Sequence, residues 1–346
     1  MKHMIHPIKP SFFHKACFLL SLVFLCGCQT ENEPASQTGF YFDTVISVTV
    51  YDPADSSLLD GCFALAKKYE NMLSKTVPGS DIWNINHAGG TKVTVSEDTI
   101  LLLNTALSYA RLTDGKIDPT IGIVSSLWNF TENTEISSDK ESISSEGGTI
   151  PFDSQLQDAL SHVDYRYIRI TDTSVTLTDP SAEVDLGFIA KGFIADQMKV
   201  YLKDHGVKSA LINLGGNVLA LGSRTDGSPF KVGIQKPFAS VGTTAAVLPV
   251  SDLSVVSSGT YERYFKQDGK IYHHILDTKT GYPVWNSLSS VTILSSSSME
   301  GDALSTTCFV LGLEKGMELI ESLPGTEAIF ITDDGSIHAS SGAAFS

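Results

Sequence analysis

The strand-forming segments of this chain double back through tight turns and do not alternate regularly with helices. From Tyr165 the runs YRYIRI and SVTLT flank one turn. SALIN, NVLALG and FKVGIQ follow, then LSVVSS, RYFKQ, KIYHHIL and SVTIL. Asp268-Gly269 separates one pair of runs, and Asp334-Gly335 divides EAIFITDDGSIHAS into another. Asp-Gly suits a two-residue hairpin, because both central positions need positive φ. Helices stand among these hairpins. Residues 57–73 place Leu58, Leu59, Cys62, Leu65, Ala66, Tyr69 and Leu73 on one stripe. Residues 97–113 form a second amphipathic helix, ending before Asp114-Gly115. Residues 190–206 form a third, with Gly206 as its C-cap. DALSTTCFVLGL and KGMELIESL are the last two helices, and YFDTVISVTVY near the start is a strand. Without a β-α-β rhythm the class is α+β: a single domain of mixed, largely antiparallel sheets with packed helices, spanning residues 39–346. Residues 131–150 are polar and rich in Ser and Glu, and read as a flexible surface insertion.

The first thirty residues are an address. Lys2, Lys9 and Lys15 precede a short apolar run, CFLLSLVFL, too short for a mature membrane span. The run ends in Leu25-Cys26-Gly27-Cys28, which resembles a bacterial lipobox. Residues 1–27 are therefore expected to be a lipoprotein signal peptide, with Cys28 lipidated and 28–38 a tether. This places the protein on the extracytoplasmic face of the cell envelope, anchored to the membrane by lipid. Cys62 and Cys308 are the only later cysteines. They read as buried thiols in helices, although a disulfide between them is permitted outside the cytoplasm.

Charge narrows the partners. The net charge is -15, and removing the leader takes away three lysines and no acid, leaving about −18. Such a surface repels nucleic acid, so an anionic substrate must be held by local N–H groups, a lysine or a metal. Dinucleotide-fold, P-loop, zincin and hydrolase motifs are missing from the sequence.

Four clusters carry candidate chemistry. Lys116, Ile117 and Asp118 lie in a turn-rich TDGKIDPT segment. Asp185 to Gly192, DLGFIAKG, joins a strand to a helix. Its small residues let a ligand approach the backbone, and Lys191 adds a positive charge. Asn213, Gly215 and Gly216 form a strand–turn–strand that serves a hairpin or a nucleotide contact. The fourth cluster joins Ser258-Gly259, the run Tyr272-His273-His274-Ile275-Leu276-Asp277, and Asp302 with Thr306. Asp302 and Thr306 are four apart and share a helix face. With a backbone carbonyl they make an all-oxygen site suited to Mg²⁺ or Ca²⁺, whereas a helix N-cap or first-turn acid is the plainer reading of Asp302. Strand alternation turns one of His273 and His274 inward as a core histidine.

In combination these motifs are far more specific. D-L-G-x-I-A-K-G-x-x-x-D, N-x-G-G-N, S-S-G-x-Y-E-R, H-I-L-D-x-x-T-G-Y-P and D-A-L-S-T occur in this order. In them the chain resembles the flavin transferase family, FAD:protein FMN transferase, over roughly residues 40–340. The resemblance implies the flavin transferase fold, with FAD as substrate and Mg²⁺ as cofactor. It implies cleavage of the FAD diphosphate, transfer of FMN to a Thr or Ser hydroxyl of a target protein, and release of AMP. The target would be a subunit of an extracytoplasmic electron-transport complex. Hydrolysis of FAD to FMN and AMP, or flavin binding without chemistry, are the alternatives.

Carried over residue by residue, the resemblance makes Asp302, Thr306 and the backbone around Phe188 the metal ligands, Phe188 standing where the family usually has a small residue. Asp185, Lys191, Lys116, Ile117, Asp118, Asn213, Gly215, Gly216, Ser258, Gly259, His274 and Ile275 become contacts to FAD. Thr44 matches the Thr of a Met-Gly-Thr motif that here reads Phe42-Asp43-Thr44, putting Phe42 at a flavin contact. Thr76 falls where some relatives carry an aromatic ring. His274 is the expected base for the acceptor hydroxyl, with Asp277 as a second base or as the group that orients it.

Overall fold

The computed structural model describes residues 33–52, 56–130 and 148–346. The leader, the lipobox with Cys28, and most of the Ser/Glu-rich insertion lie outside the described residues.

The chain opens with two strands, β1 (Ala35–Tyr41) and β2 (Thr44–Val50), and two helices, α1 (Ser57–Leu73) and α2 (Asp81–Asn86). β3 (Val93–Thr94), α3 (Glu97–Leu112), α4 (Gly122–Trp128) and α5 (Asp153–Leu160) follow. Then come β4 (Ile168–Thr171), β5 (Ser174–Leu177) and α6 (Ala190–Asp204). Four strands succeed them: β6 (Ala210–Leu214), β7 (Asn217–Leu221), β8 (Phe230–Gln235) and β9 (Thr244–Val250). After these lie β10 (Ser254–Gly259), β11 (Tyr264–Gln267), β12 (Lys270–His273) and β13 (Leu288–Ser295). α7 (Ser298–Leu311), α8 (Leu313–Glu321), β14 (Glu327–Thr332) and β15 (Ile337–Ala339) end the chain.

Eight strands form one sheet in the order β1-β2-β6-β7-β10-β13-β14-β15. Every strand pairing among the described residues is antiparallel. The hairpin logic of the sequence therefore holds, and the class is α+β. β13 is buried at all eight positions, as a strand covered on both faces must be. α1 and α6 cover one part of the sheet with an apolar cluster built from Ile46, Val48, Leu59, Phe193, Met198 and Ile212. α7 and α8 cover another part, with Val291, Ile293, Phe309, Ile320 and Phe330 between. Cys62 and Cys308 are both free and buried, and burial pushes both thiols up to about 12.

Several boundaries differ from the sequence reading. The expected tether reaches residue 38, yet Ala35–Thr38 belongs to β1, where it pairs with Val50 to Ser47. An edge strand with one covered face needs few apolar residues, so ASQTG carries little signal. The expected insertion runs to residue 150, yet the Thr149 N–H donates to the Trp128 carbonyl at 3.1 Å, and Ile150 packs on the Trp128 cluster. α7 starts at Ser298, four residues before the expected Asp302, because Ser297 supplies the N-cap through the Glu300 N–H. β9 carries Pro249, which hides it from a strand reading. Among the described residues β8 is the one strand beside β9, and Pro249 has the parity of Val247, whose N–H and carbonyl turn away from β8 to Ser346, so the missing N–H is harmless.

Candidate functional site

The site is built where α6 and α7 cross. A methyl group on Gly192 would lie 2.2 Å from the Ser298 carbonyl oxygen, so only glycine allows this approach. Asp196, the last residue of the D-L-G-x-I-A-K-G-x-x-x-D motif, holds the crossing. Its carboxylate accepts the N–H groups of Ser298 and Met299 and the Ser297 hydroxyl, at 2.9 to 3.0 Å. This satisfies orphan donors at the α7 N-terminus and sets a negative charge there.

α7 is buried nearly all round, which makes its polar residues stand out. Asp302 lies in the second turn, not at the N-cap, and is 3% exposed. Its Oδ2 accepts the Gly192 N–H at 2.9 Å, and its Oδ1 faces Lys191 Nζ at 3.5 Å. The Gly192 N–H is one of the α6 donors without an intrahelical acceptor, because the helix begins at Ala190 with Ile189 as its N-cap and the Phe188 carbonyl lies ahead of it. That carbonyl accepts no hydrogen bond among the described residues. Thr306, one turn on from Asp302, has its hydroxyl 3.1 Å from Ser258 Oγ, which also lies 2.7 Å from Ser305 Oγ. The anticipated oxygen set of Asp302, Thr306 and the Phe188 backbone thus consists of one carboxylate, one hydroxyl and one carbonyl without a hydrogen-bond donor among the described residues. Such hard oxygens fit Mg²⁺ or Ca²⁺, with further ligands drawn from water or substrate. No group of three or more His, Cys, Asp or Glu suited to a metal occurs among the described residues.

The facing wall is the β11–β12 hairpin. His273 is the core histidine: its Nε2 donates to the Val284 carbonyl at 3.0 Å and its Nδ1 accepts the Ile275 N–H at 3.3 Å. His274 is the other one. Its Nδ1 is buried without a partner, and its own N–H donates to the Arg263 carbonyl. Burial, then Arg263, His273 and Lys191, push the His274 imidazole down to about 3. Arg263 Nη2 donates to the Phe42 carbonyl at 3.2 Å, tying the β1–β2 turn to this wall. Phe42 and Asp43 form that two-residue turn, both with positive φ. The Gly215-Gly216 turn between β6 and β7 lies beside it. A methyl group on Gly215 would lie 2.2 Å from Thr44 Oγ1, and Asn213 Oδ1 accepts the Gly216 N–H at 3.0 Å.

Glu262 and Arg263 had no assigned role in the sequence reading. Burial pushes the Glu262 carboxyl up to about 7, opposed by Lys191 and Arg263 and reinforced by Asp302. The signal was present in S-S-G-x-Y-E-R, an acid and a base directly after a buried strand. Lys75 was missed as well. Its ammonium lies 3.0 Å from Asp185 Oδ2 and 2.7 Å from Ser125 Oγ. Burial would raise Asp185, but Lys75 and hydrogen bonds from Gly187 and Ser125 hold it at about 2.

Other expected residues have contacts of their own. Asp118 Oδ1 takes the N–H and hydroxyl of Thr120, and Oδ2 takes the Tyr165 N–H. Its carboxylate thereby ties this turn to the Tyr165 segment. Asp277 Oδ1 accepts the N–H groups of Lys279 and Thr280, and makes no hydrogen bond to His274. The structure therefore does not bring Asp277 to His274 as an orienting group. Ile117 and Ile275 are buried in one apolar cluster, with Phe188 packed against it. Lys116 and Thr76 are exposed, and Gly259 closes β10.

A sequence model of the ApbE family matches residues 42–330. The FAD:protein FMN transferase of Klebsiella pneumoniae (strain 342) is 37% identical over 315 residues, covering 90% of this chain and 93% of that protein. The FAD:protein FMN transferase of Treponema pallidum (strain Nichols) is 34% identical over 337 residues, covering 92% and 90%. Among solved structures, the flavin transferase ApbE from Vibrio cholerae superposes with a TM-score of 0.76 at 29% identity, covering 89% of this chain and 97% of that one. The ApbE protein from Thermotoga maritima gives 0.78 at 28% identity, with the same coverage.

Proposed function

The chain belongs to the ApbE family and is an FAD:protein FMN transferase, and we propose that it moves FMN onto a Thr or Ser hydroxyl of an extracytoplasmic acceptor protein, releasing AMP, with Mg²⁺ bound. The observation that carries the finer reading is the juxtaposition of Asp302 and Lys191 on one wall with His274 and Arg263 on the other.

Each residue has a task. Asp302, Thr306 and the Phe188 carbonyl would hold the cation. When bound, that cation neutralises charge on the diphosphate as the bond to AMP breaks. Lys191 and Arg263 supply fixed positive charge to a dianionic linkage inside an acidic protein. His274 Nδ1, a lone pair without a partner, takes the hydroxyl proton as the acceptor oxygen bonds to the FMN phosphorus. The phosphorus–oxygen bond to AMP breaks in the same displacement. Burial and two neighbouring cations keep this imidazole neutral in the free protein. A diphosphate seated between Lys191 and Arg263 offsets those cations and raises its proton affinity. A lipid anchor at Cys28 would hold the enzyme at the membrane beside acceptors that are themselves extracytoplasmic.

The test is to mix the protein with FAD, Mg²⁺ and an acceptor domain that another transferase is known to flavinylate. An FMN-sized gain in acceptor mass with equimolar AMP, abolished by EDTA and by Asp302→Ala, is expected. AMP with free FMN and no mass gain would instead identify an FAD diphosphatase.

A further inference from the structure

Lys75 carries a charge that the displacement above does not use. It lies just past the end of α1 and reaches across to α4 and to the turn that leads into α6. An ammonium has three N–H donors. Four oxygens surround this one: Asp185 Oδ2 at 3.0 Å, Ser125 Oγ at 2.7 Å, and the Gly122 carbonyl and Ser126 Oγ at 3.3 Å each. The donors are therefore all engaged within the protein, and Lys75 has none to offer a ligand.

Asp185 differs in this respect. Its Oδ1 accepts the Gly187 N–H at 2.8 Å, while Oδ2 faces Lys75 and, at 3.3 Å, the Ser125 hydroxyl. A carboxylate oxygen has two lone pairs. One on Oδ1 is left without a donor among the described residues, and the side chain is 27% exposed.

The turn that begins at Asp185 also carries Lys191. The Lys191 ammonium donates to the Gly187 carbonyl at 3.2 Å and faces Asp302 Oδ1 at 3.5 Å. Gly187, bonded to both ends of this turn, is exposed. One short segment thus brings Asp185 to the edge of the α6–α7 site. A carboxylate there, beside a dianionic linkage, needs a cation to offset its charge and a donor for its open lone pair. Lys75 is that cation. FAD has the donors, since it carries hydroxyls and ring N–H groups on both sides of its diphosphate.

We propose that Lys75 is a positioning residue of the FAD site: it fixes the Asp185 carboxylate so that the open side of Oδ1 accepts a hydroxyl or N–H of FAD. This rests on the flavin transferase reading above and adds to it a residue that touches no ligand. The pairing also keeps Asp185 charged against its burial, so the bond to FAD is a charge-assisted one.

The experiment is titration of the full chain with FAD, followed by flavin fluorescence, for Lys75→Met, Lys75→Arg, Asp185→Asn and the double variant Lys75→Met/Asp185→Asn. Asp185→Asn is expected to raise the FAD Kd about tenfold, the scale of one charge-assisted hydrogen bond. Lys75→Met should raise it by a similar factor. In the double variant the Kd should match that of Asp185→Asn within about twofold, because Lys75 acts through Asp185. Lys75→Arg keeps the charge and should recover most of the affinity. In steady-state cleavage, Lys75→Met should raise the KM for FAD by more than it lowers kcat. Lys75→Gln replaces Lys75→Met if the latter melts below the assay temperature.

Two losses that multiply in the double variant, with no recovery in Lys75→Arg, overturn the inference and leave Lys75 a tie between α1 and α4. An FAD Kd unmoved by Lys75→Met or by Asp185→Asn overturns it as well, while transfer to an acceptor by the unaltered chain still stands. An unaltered chain that binds no FAD removes the transferase reading and this inference with it.

Discussion

The decisive side chains are few, and their roles are electrostatic. Asp302→Asn keeps an oxygen for the Gly192 N–H but loses the charge. We expect AMP formation to fall by at least ~100-fold, as for other groups that stabilise charge in a transition state, while the melting temperature moves by only a few degrees, about 1 kcal/mol. Assay of AMP beside a thermal melt checks this. His273 and His274 are held neutral, at about 4 and about 3. The ordinary imidazole value is about 6.5. Below that value the unfolded chain binds protons that the folded chain refuses, so stability falls as pH drops from about 6.5 toward 4. The slope approaches about 1.4 kcal/mol per pH unit for each group. His274→Asn should flatten the dependence by the share of one proton, read from urea midpoints at a series of pH values. At this scale the sequence was half legible. Asp302, Thr306 and His274 were found by type and spacing. Glu262 and Arg263 were not, although S-S-G-x-Y-E-R contains both, because their proximity to Lys191 and Asp302 is set by the fold and the motif alone gives them no role.

Elements set the positions of those side chains. The α6–α7 crossing depends on a glycine and a cap. Gly192→Ala sets a methyl group against the Ser298 carbonyl and should cost about 2–4 kcal/mol by overpacking. Asp196→Ala should cost about 1–2 kcal/mol through loss of the cap. Both should weaken FAD binding, although neither residue is expected to touch FAD. Denaturant midpoints and FAD titration test the pair. Long periodic helices and Asp-Gly hairpins were readable in advance: α1 runs over 57–73 as its stripe requires. Short helices were not. α2, α4 and α5 have six to eight residues, too few turns to establish a period. Their stability comes from packing, as when Trp128 at the end of α4 donates its indole N–H to the Gly281 carbonyl.

Residues 34–346 form one compact unit. A chain beginning at Pro34 should melt with the full-length protein. One beginning at Thr44 should lose several kcal/mol, because it gives up the β1 ladder and the packing of Tyr41 on Phe63. It should also lose FAD cleavage, since Arg263 then lacks the Phe42 carbonyl. Differential scanning calorimetry of the two lengths decides this. The antiparallel class was legible from turn chemistry. The order of the eight strands was not, because long-range pairing is chosen by tertiary packing. Cys62 and Cys308 sit in separate apolar clusters with their thiols protonated. The folded unit therefore owes nothing to oxidative maturation: it reaches the same covalent state whether it is made in a reducing cytosol or secreted into an oxidising space.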